Sequence, residues 1–275
     1  MATASKAGPS AAAKKMFEIA TTGRQLPGRY FLYGPEKIGK TSLAAYLPSP
    51  VFIQVKGETG LETLIDAGQL PPTAHLPGEV TSWTDLLAAV DYLSQSEHDY
   101  KTLVLDGMDS GQKLCFEDVR MVSFDGDEGK FMAYHKGYDM SPNTWKELLV
   151  ALDDLRLSRK MAVVMIAHAR VSKKKNPSGE DWTHYTPNLH EKLWEPTAAW
   201  ADAIFFLNFE TIVSDDGKGK ATKSRIIYTE PDATYVAGNR FGLCDEIECG
   251  ESGKEACKNL AAALKAARNT NGKES

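Results

Sequence analysis

The octapeptide GPEKIGKT, Gly34 to Thr41, has the residue types and spacing of a phosphate cradle, G-x-x-x-x-G-K-[ST]. Gly34 and Gly39 permit turns that aim successive backbone N–H groups at phosphate oxygens, where a Cβ would obstruct them. Lys40 brings a point charge for β- and γ-phosphates, and Thr41 a hydroxyl for Mg²⁺. A helix opening at Lys40 adds its partial positive charge. The expected nucleotide-binding stretch is therefore Gly34, Pro35, Glu36, Lys37, Ile38, Gly39, Lys40, Thr41 and Ser42, with ATP and Mg²⁺ as cofactors. The competing reading is a glycine turn without a ligand. The strand-like RYFLY before the octapeptide and the helix-like TSLAAYL after it favour the cradle.

Such a cradle needs a carboxylate at the end of a buried strand to hold Mg²⁺ through water. YKTLVLDGMDS supplies Asp106 after the apolar run Leu103–Leu105, and in open α/β sheets ligands gather at that strand edge. Asp106 is thus the expected metal residue beside Thr41. Asp109 is a weaker candidate, equally suited to capping a helix. Hydrolysis also needs a carboxylate that orients or deprotonates the attacking water. In one large ATPase class, the AAA+ proteins, that residue is a Glu directly after the strand-ending Asp; here the position is Gly107. The base must come from elsewhere, and Glu58, following the apolar run PVFIQV, would face the same edge. A solvated surface glutamate is the alternative.

An ATPase core with its glutamate after the second strand resembles the RecA superfamily. The closer likeness is to phage-encoded RecA-like ATPases of the single-strand annealing and recombination type. Glu58-Thr59-Gly60-Leu61 matches the acidic-Gly-Leu turn of that group, and the likeness continues through HDYKTLVLDGMDS, YHKGYDMSPNTWKELLVALDDLR, VVMIAHARV, AAWADAIFFLNF and YVAGNRFGL, from about Arg29 to Glu248. The cradle and Asp106 fit many ATPases; IAHA followed by WADA is more selective. The resemblance implies a RecA-like P-loop NTPase that hydrolyses ATP and binds single-stranded DNA. It further implies a homo-oligomer with nucleotide at subunit interfaces, a single-strand-binding protein as a further partner, and a place in the bacterial host cytoplasm.

The same resemblance assigns roles. The strand Met161–Ala167 would lie between the cradle strand and the Asp strand, and His168 at its end would sense the γ-phosphate. A structural histidine is the alternative. Arg170, Lys173, Lys174 and Lys175 follow within six residues, where RecA-like recombinases place a DNA-binding loop. Pro177, Ser178 and Gly179 argue for a loop rather than continued strand. Such cations bind the DNA backbone without sequence preference, with Trp182, His184 and Tyr185 available for base stacking; a merely solvated charge run is the competing reading. The segment from Gly111 to Ser141 occupies the place of the first DNA loop, but Asp125, Asp127 and Glu128 make part of it acidic. Arg240 matches the arginine that hexameric helicases extend into a neighbour's nucleotide, although their lysine position is Gly238 here; a structural salt bridge is the alternative.

The elements that must position these residues follow from periodicity. Strands are expected at 29–33, 51–55, 101–105, 161–167 and 203–209, helices near 83–96 and 143–159, and a β-hairpin in SRIIYTEPDATYVAGNRFGL. Alternating strands and helices predict a three-layer α/β/α sandwich with a mostly parallel central sheet. Residues 1–28 read as a disordered leader, 29–250 as the ATPase core and 251–275 as a C-terminal helix and tail. A net charge of −5 argues against wholesale coating by nucleic acid. No apolar run reaches the length of about 18 residues that spans a membrane. Of the four cysteines, Cys244, Cys249 and Cys257 cluster late but have no partner pair of metal-ligand spacing, and all four are expected as reduced thiols in a cytosolic chain. Three rivals remain open: a helicase-like or loader ATPase acting with replication partners, a nucleotide-gated binding protein with negligible hydrolysis, and a small-molecule kinase.

Overall fold

A computed structural model describes residues 26–174, 179, 181–213 and 219–271. Its centre is a run of parallel strands: β1 (Arg29–Gly34), β2 (Pro50–Gln54), β3 (Ala74–His75), β4 (Thr102–Asp106), the first half of β5 (Ala162–Lys174) and the start of β7 (Ala203–Val213). Their order across the sheet is β7-β1-β5-β4-β2-β3. The expected arrangement therefore holds: β5 separates the cradle strand β1 from the Asp strand β4. Residues Arg29 to Gly34 align in parallel with Val163 to His168, and Thr102 to Asp106 with Ala162 to Ile166.

Strand alternation divides the apolar residues between two cores. Phe31, Tyr33, Leu103, Leu105, Val163 and Met165 face one side. There they meet α3 (Trp83–Gln95), α4 (Met108–Phe124), α6 (Lys136–Arg159) and α7 (Glu191–Trp200). Leu32, Phe52, Val104, Val164 and Ile166 face the other, against α1 (Lys40–Ala44), α2 (Gly60–Asp66) and α8 (Gly253–Asn271). A sheet covered on both faces needs continuous apolar strands, which is what these runs are. Three layers result, and the expected helix at the C-terminal end is α8. Ser82 caps α3 by accepting a hydrogen bond from the Asp85 amide at 3.0 Å.

Two expected elements differ. The segment from Gly111 to Ser141 is mainly helical: the rest of α4, α5 (Glu128–Met132), a 3₁₀ turn at Ala133–His135 and the start of α6, which begins at Lys136 rather than 143. Phe131 organises it, packing edge-on to Phe116, Phe124 and Tyr138. A Cβ on Gly137 would lie 2.2 Å from the Phe131 ring, so the glycine there makes room for the aromatic cluster. The second difference is the hairpin. β8 (Gly219–Tyr228) pairs antiparallel with the preceding β7 and with β10 (Glu246–Glu248). The expected second arm contributes only β9 (Gly238–Asn239), which pairs with the start of β7. Alternation identified a strand here, but the partner was set by the longer apolar match with β7.

Among the described residues, no helix is long and apolar enough to cross a membrane.

Candidate active site

The C-terminal ends of β1, β2 and β4 and the middle of β5 converge on one cleft of about 630 Å³. Gly34 closes β1 against the neighbouring strand, where a Cβ would stand 2.1 Å from the Leu207 carbonyl oxygen. Gly39 has φ +106°, in the region that favours glycine. Lys40 is only 6% exposed, and its ammonium donates to the carbonyls of Gly34 at 2.9 Å and Pro35 at 2.8 Å. Burial pushes its pKa down to about 8, against the opposing pull of Asp106, Asp109 and Glu58. The cradle thus holds a desolvated cation facing a cluster of carboxylates.

Thr41 donates its hydroxyl to Asp106 at 2.9 Å, so the two expected metal residues are in contact. Burial raises the Asp106 pKa, with the Thr41 hydrogen bond and Lys40 charge working against it. A hydroxyl and a buried carboxylate are hard oxygen donors of the kind Mg²⁺ takes. The residues present fit that ion.

Glu58 reaches the same cleft. Its amide donates to the Val55 carbonyl at 3.0 Å, and the buried Gln54 amide donates to the Glu58 carbonyl at 2.9 Å. Burial and then the Asp106 charge raise the Glu58 pKa. Most informative is its relation to Gly107. A Cβ built on Gly107 would lie 2.2 Å from Glu58 Cγ and 2.9 Å from Oε1. Glu58 therefore fills the space that a side chain following the strand-ending Asp would enter. Gly107 also has φ +93°. Gly107→Ala should displace Glu58 and destabilise the chain by about 1–2 kcal/mol, read as a lowered denaturant midpoint.

His168 does not end its strand: β5 runs on past it, and its Cα pairs with that of Gly34. Its Nδ1 lies 2.9 Å from Asp109 Oδ2. Asp109 sits in the first turn of α4, and the residue before that helix is Gly107, so Asp109 does not cap it. Glu58, Asp109 and His168 bring ligand-type atoms within 4.8 Å of one another. The Asp109 hydrogen bond raises the His168 pKa against burial. Burial would raise the Asp109 pKa, but the hydrogen bond and charge of His168 hold it below the usual carboxylate range.

The raised His168 value makes its share of stability complete below the unfolded histidine pKa and lost as pH rises through the folded one. The depressed Asp109 value makes its share complete above the unfolded carboxylate pKa and lost on acidification through the folded one. Both shares are present together between about pH 4 and about pH 6.5. In an NMR titration, His168 should protonate with a midpoint above the ordinary histidine value, and Asp109→Asn should bring that midpoint down.

The basic residues lie elsewhere than expected. Arg170 to Lys174 are the second half of β5, paired antiparallel with β6 (Trp182–Pro187) from Ala169↔Pro187 to Lys174↔Trp182. β5 ends at Lys174; Pro177 and Ser178 lie outside the described residues. Arg170 and Lys173 are thus on a β-ribbon, while Lys175 lies outside the described residues. Trp182 and His184 bond through their rings to the Ala233 carbonyl, at 2.7 and 2.9 Å. His184 is buried, as is Phe131, whereas Tyr134 of the 111–141 segment is 89% exposed.

Arg240 is at the opposite edge of the sheet from its own cradle. It reaches the Ala199 carbonyl at 2.9 Å and Asp202 at 3.5 Å, beside the 2.8 Å Arg29–Asp202 ion pair. Three participants were missed from sequence: Gln54, the role of Asp109, and Arg225. The guanidinium of Arg225, on β8, borders the cradle. Only Gln54 carried a signal, as a polar residue inside an apolar run.

A parallel sheet with the cradle strand and Asp strand separated by one strand, a buried lysine and a Thr–Asp contact define a P-loop nucleotide-binding domain. The chain belongs to the AAA domain family, whose pattern it matches over residues 27–241. Among curated proteins, no relative matches it.

Proposed function

We propose that this protein is a Mg²⁺-dependent, RecA-like ATPase that binds single-stranded DNA and acts in phage recombination or strand annealing. The observation that carries the hydrolytic part is the Glu58–Gly107 contact. The position used for the base in AAA+ proteins holds a glycine, and the carboxylate of Glu58 fills the vacated space. In this reading the cradle amides and Lys40 hold the β- and γ-phosphates. Thr41 and Asp106 hold Mg²⁺, which neutralises phosphate charge when bound. Glu58 accepts the proton of the water that attacks the γ-phosphoryl group, and its raised pKa suits that task. His168, fixed by Asp109, reports the γ-phosphate.

The DNA part is supported by β5. One strand runs without interruption from His168, level with the cradle, to Arg170 and Lys173 on the ribbon. A shift at His168 has a short covalent path to the cations that would neutralise DNA phosphates. The active form in this reading is a homo-oligomer in which Arg240, its side chain 57% exposed, faces a neighbour's nucleotide.

Anisotropy of a labelled oligothymidine, with and without ATP, tests the DNA part. Binding should tighten with ATP and weaken with salt. The Arg170→Ala, Lys173→Ala double variant should bind about tenfold or more weakly than wild type at low salt and show a shallower salt dependence. Equal binding by the double variant would remove the ribbon from the reading.

A further inference from the structure

The guanidinium of Arg225 donates from Nη1 to the Ile38 carbonyl and from Nη2 to the Gly250 carbonyl, both at 3.3 Å. These are long, neutral contacts for a guanidinium, which pairs best with a carboxylate or phosphate fork. Among the described residues, no carboxylate forms an ion pair with it. Nη1 would also stand 2.7 Å from a Cβ on Gly39, which places the charge directly against the cradle backbone. The phosphate cleft meets a second cleft, of about 600 Å³, at this side chain; the exposed ring of Phe209 lines the latter.

We propose that Arg225 is an additional nucleotide-contacting residue, supplied by the same chain that owns the cradle, whose guanidinium takes the phosphate chain from the Gly39 side. The inference rests on the nucleotide-binding reading of the cradle. It also draws the C-terminal segment into the site, although the family match ends at residue 241. Arg225 holds the Gly250 turn, and the start of α8 closes on α1 so tightly that a Cβ on Gly253 would lie 2.4 Å from the Ser42 carbonyl oxygen.

The test is calorimetric titration of the full chain with Mg²⁺-ATP, alongside thermal melts of the free protein, for wild type, Arg225→Ala, Arg225→Lys and Arg225→Gln. A charged hydrogen bond to phosphate is lost in the alanine variant, so Kd should rise about tenfold or more. Arg225→Gln removes the charge and keeps one amide N–H donor group on a shorter side chain. It should melt like wild type yet bind ATP as weakly as the alanine variant, while Arg225→Lys retains much of the affinity. Wild-type affinity in Arg225→Gln, or in an Arg225→Ala variant that only melts lower, would make Arg225 a strut and overturn the proposal. Failure of the underlying reading looks different: wild type itself would not bind ATP, or Lys40→Ala would bind it as well as wild type.

Discussion

Lys40→Ala is expected to weaken ATP binding by two orders of magnitude or more and to leave no measurable hydrolysis. Each charged hydrogen bond from an ammonium to phosphate contributes about 1.5–3 kcal/mol, and the cradle lysine makes at least two in the bound state. The free protein should not melt lower for the change. Burial holds the Lys40 pKa down near 8, so the protonated side chain opposes folding at neutral pH. A depressed lysine pKa means that stability rises as pH increases from about 8 toward the unfolded value near 10.4. Lost binding with an unchanged or raised Tm therefore separates a ligand-binding lysine from a structural one. Calorimetry and a thermal melt of the same sample read both.

Glu58→Gln is expected to keep ATP affinity and lower the hydrolysis rate about 10²–10⁴-fold, the usual contribution of a positioned base. The amide preserves the shape that fills the space beside Gly107 but cannot accept the proton. Affinity should hold or improve slightly, because one negative charge beside Asp106 is removed. The raised Glu58 pKa, caused by burial and then by Asp106, gives a second signature. The base works only when ionised, so the wild-type rate should fall as pH drops through a value above the ordinary glutamate pKa. Ionised Glu58 also costs stability above that value, so the glutamine variant should melt no lower than wild type. Lys40 and Glu58 are thus both held in forms that oppose folding, and in the proposed function those forms would serve chemistry.

The central sheet was legible because its strands are short apolar runs whose alternate residues serve two cores; Phe31 and Tyr33 against Leu32 is the pattern in miniature. The cradle was legible because backbone geometry imposes glycine at fixed spacing, and Asp106 because it ends a buried strand. The rest depends on contacts between residues far apart in the chain. Helical structure over 111–141 was hidden by charged residues and by Pro142, which α6 carries near its start; the Phe131 cluster that fixes it is tertiary. The partner of β8 was misjudged because alternation marks a strand without naming its neighbour. That Glu58 fills the space at Gly107 required the turn after β2 and the start of α4 to be placed side by side. Arg225 sits in an ordinary strand sequence and gains meaning only from the cradle it touches.

Steady-state ATP hydrolysis by the 275-residue chain, with Mg²⁺ and with or without single-stranded DNA, tests the central claim most directly. A rate that rises on adding DNA and is absent from Glu58→Gln is the predicted result. A chain that binds ATP tightly, yet turns it over no faster than Glu58→Gln whether or not DNA is present, would contradict it. The protein would then be a nucleotide-gated binder, and Glu58 would not be its base.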